Sequence, residues 1–194
     1  MPKVAANIST SLDGYVADPE DDVDRLHQWL YDLASWRAAH GLEGGETSRD
    51  ADVLEETFAT SGAVVIGKRM YDLAGGWGEE PPFHMPVFVL THEARDPVEK
   101  DGGTTFSFVE GIENAVEAAR AAAGDKDVAI GGGASVIQQC LAAGLLDELQ
   151  IHLVPVLLGG GVPLFGPDTS PAELECTRVI DSPAVTHLRF RVGS

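Results

Sequence analysis

Asp127-Val128-Ala129-Ile130-Gly131-Gly132-Gly133-Ala134-Ser135-Val136-Ile137-Gln138-Gln139-Cys140-Leu141 decides the fold of this chain: an apolar, strand-like run passes through three glycines into a helix-like run. The first backbone N–H groups of a helix have no intrahelical partner and lie at the positive end of its dipole. A strand, a glycine turn and a helix start therefore make an anion cradle that a phosphate can approach closely. The spacing is not the G-x-G-x-x-G dinucleotide fingerprint, so the run alone is also readable as a tight turn.

Outward from this stretch the same alternation repeats. Ala63 to Ile66 reads as a strand, Lys68 to Leu73 as a short helix and Pro86 to Leu90 as a strand. Thr104 to Val109 reads as another strand, Ile112 to Ala123 as an alanine-rich helix, and a helix to Ala143 follows the glycine turn. Short all-apolar strands alternating with helices indicate a mostly parallel sheet covered on both faces. Toward the N-terminus, Lys3 to Ser9 is a strand ending near an Asp13-Gly14 turn, and residues 24 to 39 carry Leu26, Trp29, Leu30, Leu33 and Trp36 at helical spacing. Residues 41 to 50 read as a loop and 51 to 60 as a second short helix. Toward the C-terminus, Leu149 to Leu158 reads as a strand running into a second triple glycine, Gly159-Gly160-Gly161. Val162-Pro163 after it cannot easily start a helix, which makes this run a loop or bulge. Leu174 to Ile180 and Val185 to Val192 read as a terminal antiparallel pair around Asp181-Ser182-Pro183.

The 194 residues suffice for one domain with a substantial core. With 44% hydrophobic and 23% charged residues and no apolar run near the ~20 residues of a membrane span, a soluble cytoplasmic protein without a signal peptide is expected. A net charge of −18 leaves no basic footprint for nucleic acid or an anionic membrane. Cys140 and Cys176 read as reduced and structural, and six scattered histidines give no metal cluster.

Against only 13 Lys and Arg residues, Gly67-Lys68-Arg69 stands out at the end of the strand Val64 to Ile66, where open α/β sheets bind ligands. Thr91 and His92 present a hydroxyl and an imidazole at another strand end. Three phosphate-competent strand ends suggest a dinucleotide. Asp13, in the loop after the first strand, is the one carboxylate placed to approach a reacting group, although Asp before Gly is also a favoured turn residue. No nucleophile elbow or P-loop occurs, and hydride transfer needs neither, since a cofactor carries that chemistry.

Four motifs in this order, Ser11-Leu12-Asp13-Gly14-Tyr15-Val16-Ala17, Val65-Ile66-Gly67-Lys68-Arg69-Met70-Tyr71-Asp72, Ile130-Gly131-Gly132-Gly133-Ala134 and Leu157-Leu158-Gly159-Gly160-Gly161-Val162-Pro163-Leu164-Phe165, resemble the reductase domain at the C-terminus of the bifunctional riboflavin-biosynthesis deaminase/reductase, within the dihydrofolate reductase superfamily. The resemblance covers nearly the whole chain. It implies an α/β, dihydrofolate-reductase-like fold: a mostly parallel central sheet, a C-terminal antiparallel strand pair, helices on both faces, and NADPH across the carboxyl ends of the strands. By that resemblance Gly131, Gly132, Gly133, Ala134 and Ser135 would hold the pyrophosphate. Gly67, Lys68, Arg69, Thr91 and His92 would surround the adenosine 2′-phosphate, Ala6 and Val16 would offer backbone groups to the nicotinamide carboxamide, and Asp13 would lie beside nicotinamide and substrate as the catalytic group. A homodimer through the terminal strands is implied as well.

The chain departs from the family where Gly-Arg-Arg-Thr-Tyr-Glu becomes Gly67-Lys68-Arg69-Met70-Tyr71-Asp72, which removes a threonine hydroxyl, and no deaminase segment or zinc motif is present. Residues 21 to 60 are enlarged and acidic, with Arg25, Arg37 and Arg49 as the cations available to a phosphorylated substrate. The expected activity is NADPH-dependent hydride transfer to a small heterocycle, as in reduction of 5-amino-6-(5-phosphoribosylamino)uracil. Dihydrofolate reduction and an NADPH-binding module without turnover are the alternatives.

Overall fold

The computed structural model describes residues 2–193. Its elements in chain order are β1 (Val4–Ser11), β2 (Tyr15–Ala17), α1 (Asp24–Tyr31), α2 (Ala34–Ala39), α3 (Arg49–Thr60), β3 (Ser61–Gly67), α4 (Lys68–Leu73), β4 (Pro86–Leu90), β5 (Val98–Glu99), β6 (Thr105–Val109), α5 (Ile112–Ala123), β7 (Asp127–Gly132), α6 (Ala134–Ala142), β8 (Glu148–Val154), β9 (Val162–Pro163), β10 (Leu174–Asp181) and β11 (Thr186–Val192). Nine strands form one sheet in the order β10-β11-β8-β1-β7-β3-β4-β6-β5, and β2 and β9 form a separate ribbon. The pairs from β8 through β1, β7, β3 and β4 to β6 are parallel, while β5, β11 and β10 join antiparallel.

Alternation along the parallel strands sends successive side chains to opposite faces. Ala63, Val65, Val128 and Ile130 pack on one face with Ile112, Ala115, Val116 and Ala119 of α5 and with Val136 and Ile137 of α6. Val64, Ile66, Val87, Val89 and Ala129 pack on the other with Phe106, Phe108 and Tyr71. The spacing Ile112, Ala115, Val116, Ala119, Ala123 is the buried stripe of α5, and burying each large apolar side chain contributes about 1.5–3 kcal/mol.

Two expected elements differ. The helical stripe over residues 24 to 39 is broken: Leu33 is extended and bridges to Glu46, whose carbonyl accepts the Ala34 N–H and whose N–H donates to the Asp32 carbonyl. The stripe survives the break, since Leu26, Trp29 and Leu33 remain buried together with Val154 and Val185. The strand expected to run to Leu158 ends at Val154, because Pro155 has no N–H for the ladder and Val156 turns back to donate to the Val154 carbonyl.

Candidate functional site

The carboxyl ends of the parallel strands bring the first glycine turn and the basic turn together. Gly131 and Gly132 finish β7, and Gly133 is the N-cap of α6 without a side-chain cap. The first intrahelical bonds run from Val136 and Ile137 to the Gly133 carbonyl, which leaves the Ala134 and Ser135 N–H groups without intrahelical partners. A Cβ on Gly133 would meet nothing within 4 Å, so this edge of the turn is open. Gly132 has φ +123° with the Met70 sulfur and Ile8 packed against it, a conformation that glycine alone adopts easily. A Cβ on Gly67, at the end of the neighbouring strand, would lie 3.8 Å from the Gly133 nitrogen.

Register leaves a strand edge unpaired beside this turn. β1 pairs with β7 only up to Ala6 opposite Ile130, whereas its pairing with β8 continues to Ser11 opposite Val154. The β7 side of β1 is therefore unpaired beyond Ala6. Ala6 lies at the base of this unpaired edge with its side chain buried. Val16, in the bulged ribbon of β2 and β9, packs in the same cluster as Ala6 and Ala134, and the Gln138 side-chain amide ties α6 to this ribbon by donating to the Leu164 carbonyl at 2.7 Å. These are the groups a flat, phosphate-bearing ligand would meet.

Both basic residues after β3 have carboxylate partners. Lys68 pairs with Asp72 one turn along α4 at 2.5 Å, and Arg69 pairs with Asp21. Both pairs are at the surface, where such bonds are worth about 0–1 kcal/mol, so a phosphate can compete for these cations. The Thr91 hydroxyl accepts the Glu93 N–H at 3.1 Å and shapes its own loop, and His92 is exposed.

Asp13 is bonded to the second glycine run. Its two oxygens accept the N–H groups of Leu158 (3.1 Å) and Gly159 (2.7 Å), which latches the loop after β1 to the second glycine run. A hydrogen bond from the Ser11 hydroxyl, with those from the Gly159 and Leu158 amides, outweighs desolvation and lowers its pKa to about 2. The carboxylate form is thereby favoured.

A cavity of about 670 Å³ lies at the opposite end of the sheet, lined by Phe58, Ser61, Phe83, His84, Pro86 and Lys126 near the amino ends of β3 and β4. None of the sequence-derived site residues lines it, and in parallel sheets the ligand crevice lies outside the carboxyl ends. The candidate site is therefore the unpaired edge of β1 beside the end of β7.

Sequence reading missed a buried polar layer on the α1 and α3 side of β8 and β11. His187 Nε2 donates to Asp50 Oδ1 at 3.0 Å, and the two Nδ1 atoms of His187 and His152 are 2.6 Å apart. With His187 protonated at Nε2, its Nδ1 accepts and His152 Nδ1–H donates, a tautomer assignment made from the network. Burial, reinforced by repulsion from His187, His27 and Arg189, pushes the His152 pKa down to about 3, and burial lowers that of His187 despite the Asp50 bond. Alongside, Glu56 accepts from Arg189 at 2.9 Å and from Arg178, and these bonds overcome the burial that would raise its pKa. Trp29 lies against both imidazoles, with ring centroids 5.1 and 5.2 Å away, and donates to Ser9 Oγ at 3.3 Å. The one sequence signal was that Gln150 and His152 alternate with apolar residues along a strand. Their partners are far away in the chain.

A second missed residue is Arg95, whose guanidinium lies 3.7 Å from the Phe108 ring centroid and 5.3 Å from that of Tyr71. Its signal was a cation in the loop after Thr91-His92 in a cation-poor chain.

Comparison with known proteins gives the family and the fold. Residues 2–188 match the family model of the RibD C-terminal domain, and the chain belongs to that family. It is 31% identical over 111 residues to the uncharacterized protein YyaP of Bacillus subtilis (strain 168), a match that spans 53% of this chain and only 58% of YyaP. A Shewanella sp. PV-4 protein, provisionally assigned to riboflavin biosynthesis, superposes with a TM-score of 0.74 and 26% identity over 99% of both chains. Dihydrofolate reductase from Enterococcus faecalis, solved with NADP(H), superposes with a TM-score of 0.59 and 16% identity, covering 99% of this chain and 97% of its own. The fold is thus dihydrofolate-reductase-like, with the mostly parallel sheet and terminal antiparallel pair expected from the sequence. No described helix is long and apolar enough to cross a membrane.

Proposed function

We propose, from membership of the RibD C-terminal family, that this protein is an NADPH-dependent reductase that reduces a C=N or C=O bond of a small heterocyclic substrate. The observation that carries the reading is the unpaired edge of β1 beside an open glycine turn and a helix start. The cofactor, when bound, supplies the hydride. The chain's own part is binding and orientation. The Ala134 and Ser135 N–H groups would hold the pyrophosphate, and the unpaired edge of β1 above Ala6 would receive the nicotinamide with Val16 over it. Lys68, Arg69, Thr91 and His92 would face the adenosine end.

Asp13 would act as a positioning residue that holds the loop of residues 12–14 against Leu158 and Gly159, with the proton drawn from solvent. Two further elements of the proposal are a cytoplasmic location and a homodimer formed along β10, the sheet edge where Leu174 and Val179 are exposed. NADPH at 100 times its Kd should stabilise the fold by about 2.7 kcal/mol, a rise in Tm of roughly 5–10 °C for a chain of this size. No shift at saturation overturns the reading. A second reading, binding without turnover, is favoured by the ionised, latched state of Asp13. NADPH binding without oxidation across pterin, pyrimidine and quinone acceptors would select it.

A further inference from the structure

The cavity of about 670 Å³ at the amino ends of β3 and β4 has no part in the reading above, yet its size is that of small-molecule sites, about 300–1,000 Å³. β3 has seven residues, and at about 3.3 Å for each the cavity at its start lies roughly 20 Å from the glycine turn beside its end. An occupant of the cavity is therefore a ligand distinct from anything held at that turn.

Two of the walls are fixed before any ligand arrives. Phe83 is braced edge-on by Trp77 and Phe106, with ring centroids 4.9 and 6.2 Å away. His84, at φ +50°, is pinned twice: its backbone N–H donates to the Thr104 hydroxyl oxygen at 3.0 Å, and its Nδ1 lies 3.0 Å from the Gly102 carbonyl. A carbonyl only accepts, so Nδ1 carries the proton and Nε2 stays outside these bonds, a tautomer assigned from the network. Gly102 permits the approach, since a Cβ there would lie 2.5 Å from the imidazole Nδ1. Phe58, Met85 and Pro86 add further apolar wall.

Charge selects the occupant. None of the described residues lining the cavity is an Asp or Glu, in a chain with 31 of them against 13 Lys and Arg, while Lys126 and His84 both line it. Lys126 has no carboxylate partner among the described residues, and its neighbour Asp127 accepts the Lys3 N–H at 2.7 Å. Two helices end here, and two of their terminal carbonyls are engaged. The Thr57 carbonyl of α3 accepts the Ser61 hydroxyl at 2.7 Å, and the Ala123 carbonyl of α5 accepts the Lys126 N–H at 3.2 Å. An ammonium without a partner beside an acid-free aromatic recess suits an anion carried on a flat ring.

We propose that this cavity is a second binding site, for a small aromatic carboxylate whose ring lies against Phe58 and Phe83 and whose carboxylate faces Lys126 and His84.

The test uses the full chain and three probes of one shape: 2-naphthoate, its neutral amide 2-naphthamide and the cation 2-naphthylmethylamine, each titrated while backbone amide shifts are followed by NMR. 2-Naphthoate should bind saturably and move the amides of Ser61, Gly62, His84, Met85 and Lys126, leaving Gly132 and Gly133 in place. The amide should bind about fivefold more weakly, and the amine more weakly still. Lys126→Gln should abolish the preference for 2-naphthoate over 2-naphthamide. Phe58→Ala should weaken both alike, by about fivefold. Both side chains are exposed, so Tm should stay within about 2 °C in either variant. No saturable binding, shifts centred on the glycine turn, or an amine that binds as tightly as the carboxylate overturns the proposal. So does an unchanged preference for 2-naphthoate in Lys126→Gln.

Discussion

Gly131-Gly132-Gly133 and Gly159-Gly160-Gly161 are the same tripeptide in two surroundings. The first run ends a strand and opens α6. Its last glycine faces space, and the N–H groups that follow are unpaired. The second run is folded onto the chain itself. A Cβ on Gly161, where φ is +122°, would lie 2.1 Å from the Ala17 carbonyl oxygen, and the Gly159 N–H is taken by Asp13. One run leaves backbone exposed to a ligand, and the other lets two backbone segments touch. The lesson is that a glycine run is defined by what it fails to cover, so the candidate for a ligand site is the run whose neighbours leave it open.

The strongest way to break this contrast is Gly161→Ala. A methyl forced into a backbone carbonyl at positive φ should cost about 3 kcal/mol or more, read as a fall in Tm of roughly 6–12 °C. A shift under 2 °C would show that the second run is not a packing device. Next, Gly133→Ala places a methyl where nothing lies within 4 Å and φ is −79°. The ligand-free Tm should stay within about 2 °C, while NADPH affinity drops by roughly tenfold or more, worth about 1.4 kcal/mol. Unchanged affinity would remove the cradle.

Acid should separate the two runs in a third way. Both buried imidazoles have folded pKa values below the unfolded value near 6.5, so the unfolded chain binds more protons once the pH falls below 6.5. Their contribution to stability is intact above that point and is lost progressively toward the His152 value of about 3. Because β8 carries His152 and leads into the second run, amides at residues 158–161 should lose hydrogen-exchange protection before those of β7 as the pH drops from 7 to 5. His152→Gln should flatten that dependence. Equal loss in both regions at all pH values would uncouple the imidazoles from the second run. The smallest effect is expected from Asp13→Asn, which keeps one acceptor: faster exchange at Leu158 and Gly159, with global Tm nearly unchanged. Loss of NADPH oxidation without faster exchange would assign Asp13 a catalytic role instead.

Much of the architecture was legible in local pattern. The turns and the alternation of strand and helix are short-range signals, and α5 begins and ends where its stripe and flanking glycines place it. Residues 24 to 39 were misread as continuous because the break depends on Glu46, which exchanges hydrogen bonds with Asp32 and Ala34 across the loop. Pro155 did carry the local reason for ending β8 at Val154. The site was legible as residue types but not as pairings. Lys68 and Arg69 stood out as rare cations, yet nothing in their neighbourhood revealed that Asp21 would take Arg69 or that Arg95 would have no carboxylate partner among the described residues. Asp50 and His187 are 137 residues apart and meet only because α3 packs across β11.

The sequence by itself determined the order of elements, the parallel character of the sheet and the strand–glycine–helix cradle, because periodicity and glycine's conformational freedom act within a few residues. The tertiary structure alone decided that β1 parts from β7 above Ala6, that the second glycine run closes on Ala17 and that Asp13 is a latch. Register, close approach and charge pairing depend on which distant segments the finished sheet brings into contact.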